Sequence, residues 1–313
     1  MPRSSGNDLC EIFGFAPDDT SAPARKQWKS QQCPFVEGIC IKHSHPQSDG
    51  KMIVYGSCSV TNRTRSGLEE VIICPQRLYA DNYRTLHSCI KDAIGKDVAI
   101  FSAAEYPKLK KSKTKLPKEH FVLFGHNCGK EVSLSNPGII DLSLDWVMAH
   151  IDDGELKNII PCEVQSIDTT GNYRDAWNAY STELEEIPDS AHGMNWANVW
   201  KRLIPQLMLK GSIASTSILC NFGIYFIVPD RVYKQFEKLV GTVSAEPKAG
   251  PGVMTVMTYS IGPEVPTGKI RPLVNIRTIR MLATEFAKAF ASGKQLPLGT
   301  QLDAKVQALM ADM

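Results

Sequence analysis

The stretch "NIIPCEVQSIDTTGNYRDAW" (residues 158–177) begins as an apolar run and then presents Glu163 and Gln165 two residues apart. In a strand that spacing puts both side chains on one side. A carboxylate and an amide at the end of a strand, followed by a segment of mixed basic and aromatic character, can simply be a strand reaching solvent. The residues around it decide between that reading and a chemical one.

Upstream, "LSLDWVMAHI" reads as a strand and places Asp145 among apolar neighbours. Buried carboxylates are costly unless they are paired or bind a metal. Asp145 and Glu163 on adjacent strands suit one Mg²⁺, which prefers a few carboxylates, a carbonyl such as that of Val164, and retained waters. Such a metal polarises a scissile phosphate and supplies hydroxide. Gln165 is placed to orient the attacking water or touch the phosphate, but carries no positive charge. In "GKEVSLS", Glu131 is a third carboxylate. Asp141, Asp152 and Asp153 compete with Asp145, although "DDGE" looks like a hairpin turn. Asp168 and Asp175 are expected at a turn and on a helix surface.

Four cysteines crowd the first quarter of the chain. Cys33, Cys40, Cys58 and Cys74 are spaced C-x6-C, then x17, then x15. Four thiolates converging from short strands make a closed site for zinc or iron, though four buried free cysteines would look the same. His43 and His45 are rival ligands or exposed turn residues. Cys10, Cys89, Cys128, Cys162 and Cys220 are scattered and read as small buried hydrophobes.

The 313 residues allow a sizeable core, in one large domain or two. The 35 basic and 33 acidic side chains leave a formal net charge of +2, which neither requires nor excludes nucleic acid. No apolar run reaches membrane-spanning length, and the amino terminus lacks the apolar region of a signal peptide. The expected location is cytosolic.

Residues 15–31 read as a polar arm. Short β-prone pieces such as "MIVYGSCSV" and "EVIICP" follow, separated by turn-forming "HSHPQSDG" and "TNRTRSG". A helix is expected over "ADNYRTLHSCIKDAIG", with Gly95 as its stop. Six lysines between Lys108 and Lys118 read as a solvated linker, with phosphate contact the alternative. "HFVLFGH" and "FGIYFIVP" read as strands. "YRDAWNAYSTELEEI", "DRVYKQFEKLV" and "RTIRMLATEFAKAFASG" read as helices, and "NWANVWKRLIPQLMLKG" as one broken near Pro205.

Strand–Asp, strand–Glu-x-(Lys or Gln), then helix is the layout of the PD-(D/E)xK nucleases. Beyond that layout, the chain resembles the NotI family of type IIP restriction endonucleases over nearly its whole length. "QCPFVEGICIKHS", "YGSCSVTNRT" and "VIICPQRLYADNY" are similar to the family's amino-terminal metal region. "GKEVSLS", "LSLDWVM" and "CEVQSIDTTGNYRDAWNAY" are similar to its catalytic core, and "HGMNWANVWKRLIPQ" to a following helix.

The resemblance implies an α/β fold with a PD-(D/E)xK core, a mixed sheet flanked by helices, and a small amino-terminal metal-binding module of four cysteines. Residues 1–115 would hold the arm, the module and a helix, and residues 116–313 the nuclease domain. It implies structural iron on Cys33, Cys40, Cys58 and Cys74, with zinc possible. It implies a Mg²⁺ centre at Glu131, Asp145, Glu163 and Gln165, with glutamine the usual residue in the last place. The protein would be a bacterial restriction–modification enzyme and a homodimer. It would cut double-stranded DNA at a GC-rich palindrome with a GGCC core. The shorter members suggest CGGCCG, cut to leave four-base 5′ overhangs, with GCGGCCGC an alternative target.

On a palindrome, guanine reading favours Arg or Lys at O6 and N7. Candidates for DNA contact are Asn172, Tyr173, Arg174 and Asp175 after the catalytic strand, and Asn195, Asn198, Lys201, Arg202 and Gln206 on the next helix. Arg63 and Arg65 on the "TNRTRSG" turn join them. Lys201 and Arg202 are adjacent and face different sides, so at most one reads a base. Two other classes compete: a non-catalytic DNA-binding protein on a decayed nuclease fold, and a redox protein using an iron–tetrathiolate centre.

Overall fold

The computed structural model describes residues 6–46, 50–112, 115–241, 243–292 and 299–311. Lys113, one of the six lysines, and residues 47–49 of the "HSHPQSDG" turn lie outside the described residues, as do residues 1–5 of the amino terminus.

In chain order the strands are β1 (Asp8–Ile12), β2 (Ser57–Thr64), β3 (Gly67–Ile72), β4 (Ala99–Ser102), β5 (Glu119–Gly125), β6 (Val132–Asn136), β7 (Ile140–Leu144), β8 (Trp146–Asp152), β9 (Glu155–Val164), β10 (Thr169–Thr170), β11 (Gly193–Met194), β12 (Ile224–Pro229), β13 (Val253–Ile261) and β14 (Leu273–Leu282). The helices are α1 (Ala22–Ser30), α2 (Ala80–Ile94), α3 (Tyr106–Lys111), α4 (Arg174–Ser181), the single turn α5 (Trp196–Asn198), α6 (Ile204–Thr216), α7 (Asp230–Val240), α8 (Ala283–Ala291) and α9 (Gly299–Ala311). No helix among the described residues is long and apolar enough to cross a membrane.

The protein is mixed α/β. Seven strands form one mixed sheet in the order β14-β13-β12-β9-β8-β5-β4. β9 lies at its centre, antiparallel to β8 and parallel to β12. Alternation along β12 splits the core. Ile224, Phe226 and Val228 join Leu207, Val232 and Phe286 on one face, while Tyr225 and Ile227 join Leu86, Met148 and Cys162 on the other. Helices thus cover both faces, α6, α7 and α8 on the first and α2 on the second. A separate sheet, β1-β2-β3, packs Leu9, Ile12, Val60 and Val71 into the first of these cores.

Pro161 sits inside β9 without breaking it. Alternate residues of this strand direct their amides away from β8: Ile159 donates to Leu219 and Gln165 to Ile227. Pro161 faces the same side, and pairing with β12 begins only at Cys162, so the missing N–H leaves no ladder bond unmade. Gly223, at φ +69° before β12, is confined by the backbone as well. A Cβ there would lie 1.9 Å from the Val253 carbonyl oxygen.

Several expectations are met. β5, β9, β12 and α7 form where their patterns place them, and Asp153 and Gly154 turn β8 into β9 at φ 54° and 81°. α2 forms as expected from Arg84 to Ile94, with Gly95 closing it in the left-handed region, but its start is kinked where Asp81, Asn82 and Tyr83 turn left-handed at φ 57°, 54° and 61°. Other expectations are corrected.

The arm at 15–31 contains α1, because Ser21 caps it by accepting from the Ala24 amide and Trp28 packs on Phe13 and Trp177. "TNRT" is not a turn: β2 runs through Thr64, and only Arg65 and Ser66 make the hairpin, while Met52 and Ile53 stand outside the strand. The lysine-rich linker starts as helix α3. "LSLDWVMAHI" is two strands, β7 and β8, separated at Asp145, which is exposed. α4 ends at Ser181, where the hydroxyl of Thr182 donates to the Asn178 carbonyl and Glu183 turns to φ 55°.

The region near Pro205 is not a break but a π-helical stretch, Val199–Leu203, continuous with α6. Proline cannot donate to the carbonyl one turn back, and the wider turn absorbs that. "RTIRML" belongs to β14 rather than to a helix. Its register against β13 (Met254↔Met281, Val256↔Ile279) makes it an edge strand, and the helix begins only at Ala283.

Candidate active site

Glu163 is the next-to-last residue of β9, between Cys162 and Val164, whose side chains enter the α2-side core. Glu163 and Gln165 therefore face the other side, toward α6. Trp146 pairs with Cys162, so Asp145 stands beside Glu163 where β8 begins. The two residues are cross-linked through the backbone. Glu163 Oε1 accepts from the Asp145 amide at 3.2 Å, and Asp145 Oδ2 accepts from the Val164 amide at 2.9 Å. Each strand end holds the other's carboxylate.

A residue that the strand pattern does not reveal completes the group. Lys210 of α6 is buried and places Nζ 2.5 Å from Glu163 Oε2. Burial, and then the neighbouring Asp145 charge, push the Glu163 carboxyl up to about 7, against the pull of Lys210. Although Asp145 is exposed as a residue, its carboxyl is packed between the strand ends, and the loss of solvation there raises it, opposed by the Val164 amide and by Lys210. The Glu131 charge contributes to that rise, so Glu131 lies within electrostatic reach, although it is exposed and precedes β6.

Gln165 is exposed, and its side-chain amide donates to the Ser166 carbonyl at 3.1 Å. It opens onto a cavity of about 160 Å³ lined also by Ser166, Asp168, Asn198, Arg202 and Gln206. Three of the predicted DNA-contact residues thus share one recess with the E-x-Q glutamine. Lys201 is exposed and is not among the residues lining that recess. Asn195 anchors its amide on the Asp168 carbonyl, which ties the helix start to the loop after β9.

The other candidates lie elsewhere. Tyr173 is half-buried and packs edge-on against Tyr55, while Arg174 donates to the Tyr55 hydroxyl and Asn172 accepts from the Arg174 amide. Asp175 lies in the first turn of α4. Arg63 and Arg65 are exposed at the end of the β2–β3 hairpin. Asp168 forms an ion pair with Lys42 at 3.3 Å.

Cys33, Cys40, Cys58 and Cys74 are all buried. Their charges act on one another: Cys33 on Cys40, Cys74 and Cys40 on Cys58, and Cys40 and Cys33 on Cys74. Burial raises every one of these thiols, Cys74 to about 12, while backbone amides directed at Cys33, Cys40 and Cys74 oppose the rise. His43 and His45 are exposed. Among the described residues no group of three or more His, Cys, Asp and Glu side chains is arranged to hold a metal ion.

The donor chemistry nevertheless suits each expected metal. Four mutually interacting buried sulfurs, three of them facing backbone amides, suit iron or zinc. Two adjacent carboxylates suffice for Mg²⁺, which retains waters and takes substrate phosphate oxygens.

No protein-family profile matches the chain, and no curated protein is significantly similar to it in sequence.

The segment around Cys74, Ile73 to Tyr79, touches the site at two points that the sequence pattern does not reveal. Trp146, next to Asp145, donates its indole N–H to the Tyr79 hydroxyl at 3.1 Å. Ser166, next to Gln165, donates its hydroxyl to the Ile73 carbonyl at 3.1 Å. Both contacts are buried, and neither partner has a periodicity that marks it.

Proposed function

We propose that the protein is a Mg²⁺-dependent, sequence-specific DNA endonuclease of the NotI type with a PD-(D/E)xK core. One observation carries the reading. Asp145 and Glu163 are locked side by side at the end of the central strand, and the next outward-facing residue, Gln165, shares a recess with Asn198, Arg202 and Gln206. Like charges crowded at a strand end are costly unless a cation or substrate uses them.

In this reading Asp145 and Glu163, with the Val164 carbonyl, hold Mg²⁺, and Glu131 completes the acidic edge. When bound, the metal supplies polarisation of the scissile phosphate and an acidified water. Gln165 has both a donor and an acceptor, so it orients that water. Arg202 and Gln206 present donors suited to guanine edges or phosphate, and Lys201, on a different side, suits backbone phosphate. Cys33, Cys40, Cys58 and Cys74 hold structural iron, or zinc. A homodimer bringing two such sites to a palindrome makes the double-strand break. The proposed target is CGGCCG, with GCGGCCGC the alternative.

A digest of DNA of known sequence with Mg²⁺, followed by run-off sequencing of the cut ends, tests this directly. Cutting at a GGCC-centred palindrome is expected. Glu163→Ala should abolish cutting while the folded protein still shifts the same duplex. Unimpaired cutting by that variant sinks the catalytic assignment, and a footprint without nicks favours the non-catalytic DNA-binding alternative.

A further inference from the structure

We infer that Lys210 is the fixed cation of the Asp145–Glu163 site and takes the position on Glu163 that a second divalent metal would otherwise occupy, so that each chain holds one metal there. The inference rests on the metal-holding reading of these two carboxylates.

The hydrogen-bonding pattern leads to it. Glu163 Oε1 is engaged by the Asp145 amide and Oε2 by Lys210 Nζ, while Asp145 Oδ2 is engaged by the Val164 amide. The lone pairs of Asp145 and of Glu163 Oε1 that these bonds do not use are the ones left for a metal. Two-metal phosphodiesterase sites set their ions about 3.5–4 Å apart and share a bridging carboxylate. Here the second oxygen of Glu163, which a second ion would need, is occupied from α6 by an ammonium 2.5 Å away, inside a buried pair. A second dication placed there would meet a fixed positive charge in a region of low dielectric, where repulsion is strong.

The placement also accounts for Gln165. In an E-x-K strand the positive charge comes two residues after the glutamate. Here that position carries a neutral amide, and the charge comes from a helix 47 residues away in sequence. Pro205 and the π-helical turn before it set the start of α6, and Lys210 follows one and a half turns later on the sheet-facing side with Leu207 and Ala214.

Crystals of the wild-type protein and of Lys210→Met, soaked in manganese chloride, give the metal count from anomalous difference density. One peak beside Asp145 and Glu163 is expected in the wild type, and a second peak on the α6 side of Glu163 in Lys210→Met. Lys210→Gln keeps a donor without the charge and should also show two peaks, which covers the case in which the methionine variant does not fold. Two peaks in the wild type, or a single peak in all three proteins, overturns the role of Lys210 while leaving the metal reading intact. No peak beside Asp145 and Glu163 in any protein overturns the metal reading itself, and the inference with it.

Discussion

Lys210 Nζ lies 2.5 Å from Glu163 Oε2, and both side chains are buried. The pair couples a helix to the central strand of the sheet, so the electrostatics of the strand end depend on residues far apart in sequence. Breaking a buried ion pair by removing one partner typically costs about 3–5 kcal/mol, because the other charge is left uncompensated. Lys210→Met should lose stability on that order at pH 8, as read from urea unfolding. A loss below about 1 kcal/mol would mean that the pair is not buried in solution.

Glu163 links stability to pH. Its carboxyl titrates near 7 in the folded protein, above its ordinary 4.5. The folded state therefore binds this proton more tightly than the unfolded state. The ionised form is penalised in full above pH 7, and the penalty is relieved as pH falls from 7 toward 4.5. Wild-type stability in the absence of metal should thus gain up to about 3 kcal/mol from this carboxyl as pH falls from 8 toward 4.5. Glu163→Gln should lose that pH dependence. Thermal unfolding scans of both proteins across this range check it, and an equal pH dependence in the two contradicts the assignment.

The same proton competes with Mg²⁺. Below pH 7 the Mg²⁺ concentration giving half-maximal cleavage should rise by about tenfold per pH unit, because one proton must leave Glu163 for the metal to bind. Cleavage lost at pH 6 in low Mg²⁺ should return in high Mg²⁺. A Mg²⁺ requirement independent of pH between 6 and 8 would separate Glu163 from the metal.

The Tyr79–Trp146 and Ile73–Ser166 hydrogen bonds tie the segment around Cys74 to the two sides of the site. Tyr79→Phe leaves the buried Trp146 N–H without its acceptor, which costs about 1–3 kcal/mol. Cys58→Ala should lower the melting temperature, and with it the metal content by elemental analysis. Iron and zinc both absent from wild-type protein prepared without chelator would remove the metal from this account.

Arg202 and Lys201 should separate by salt dependence. Loss of a phosphate contact in Lys201→Ala should reduce the slope of log affinity against log salt by about 0.9, evenly for all sequences. Arg202→Ala, in the recess with Gln165, should instead lose discrimination against altered target sequences. Binding titrations at several salt concentrations measure both.

Much of the site was legible because strand alternation is strict. Glu163 and Gln165 fall on one face whatever surrounds them, and an aspartate at the margin of the neighbouring strand is read in the same way. Lys210 was not legible. It sits in an apolar helix, "IPQLMLKGSIAST", and nothing in that pattern says that its side chain turns inward to a carboxylate. The assignment of "RTIRML" to a helix failed for a related reason. Ile279 and Met281 suit a helix face as well as a strand, and only pairing with β13 selects the strand.

The sequence by itself determined the central strands, the α7 helix, the body of α2 with Gly95 as its stop, the Asp153–Gly154 turn, and the placing of Glu163 and Gln165 on one face. These follow from local periodicity and from backbone preferences that no distant residue alters. Only the tertiary structure decided the order of the seven-stranded sheet, the division of the chain at Asp145 into two strands, and the burial of Lys210 against Glu163. Each depends on which apolar face meets which, and contacts between residues many positions apart leave no period in the chain.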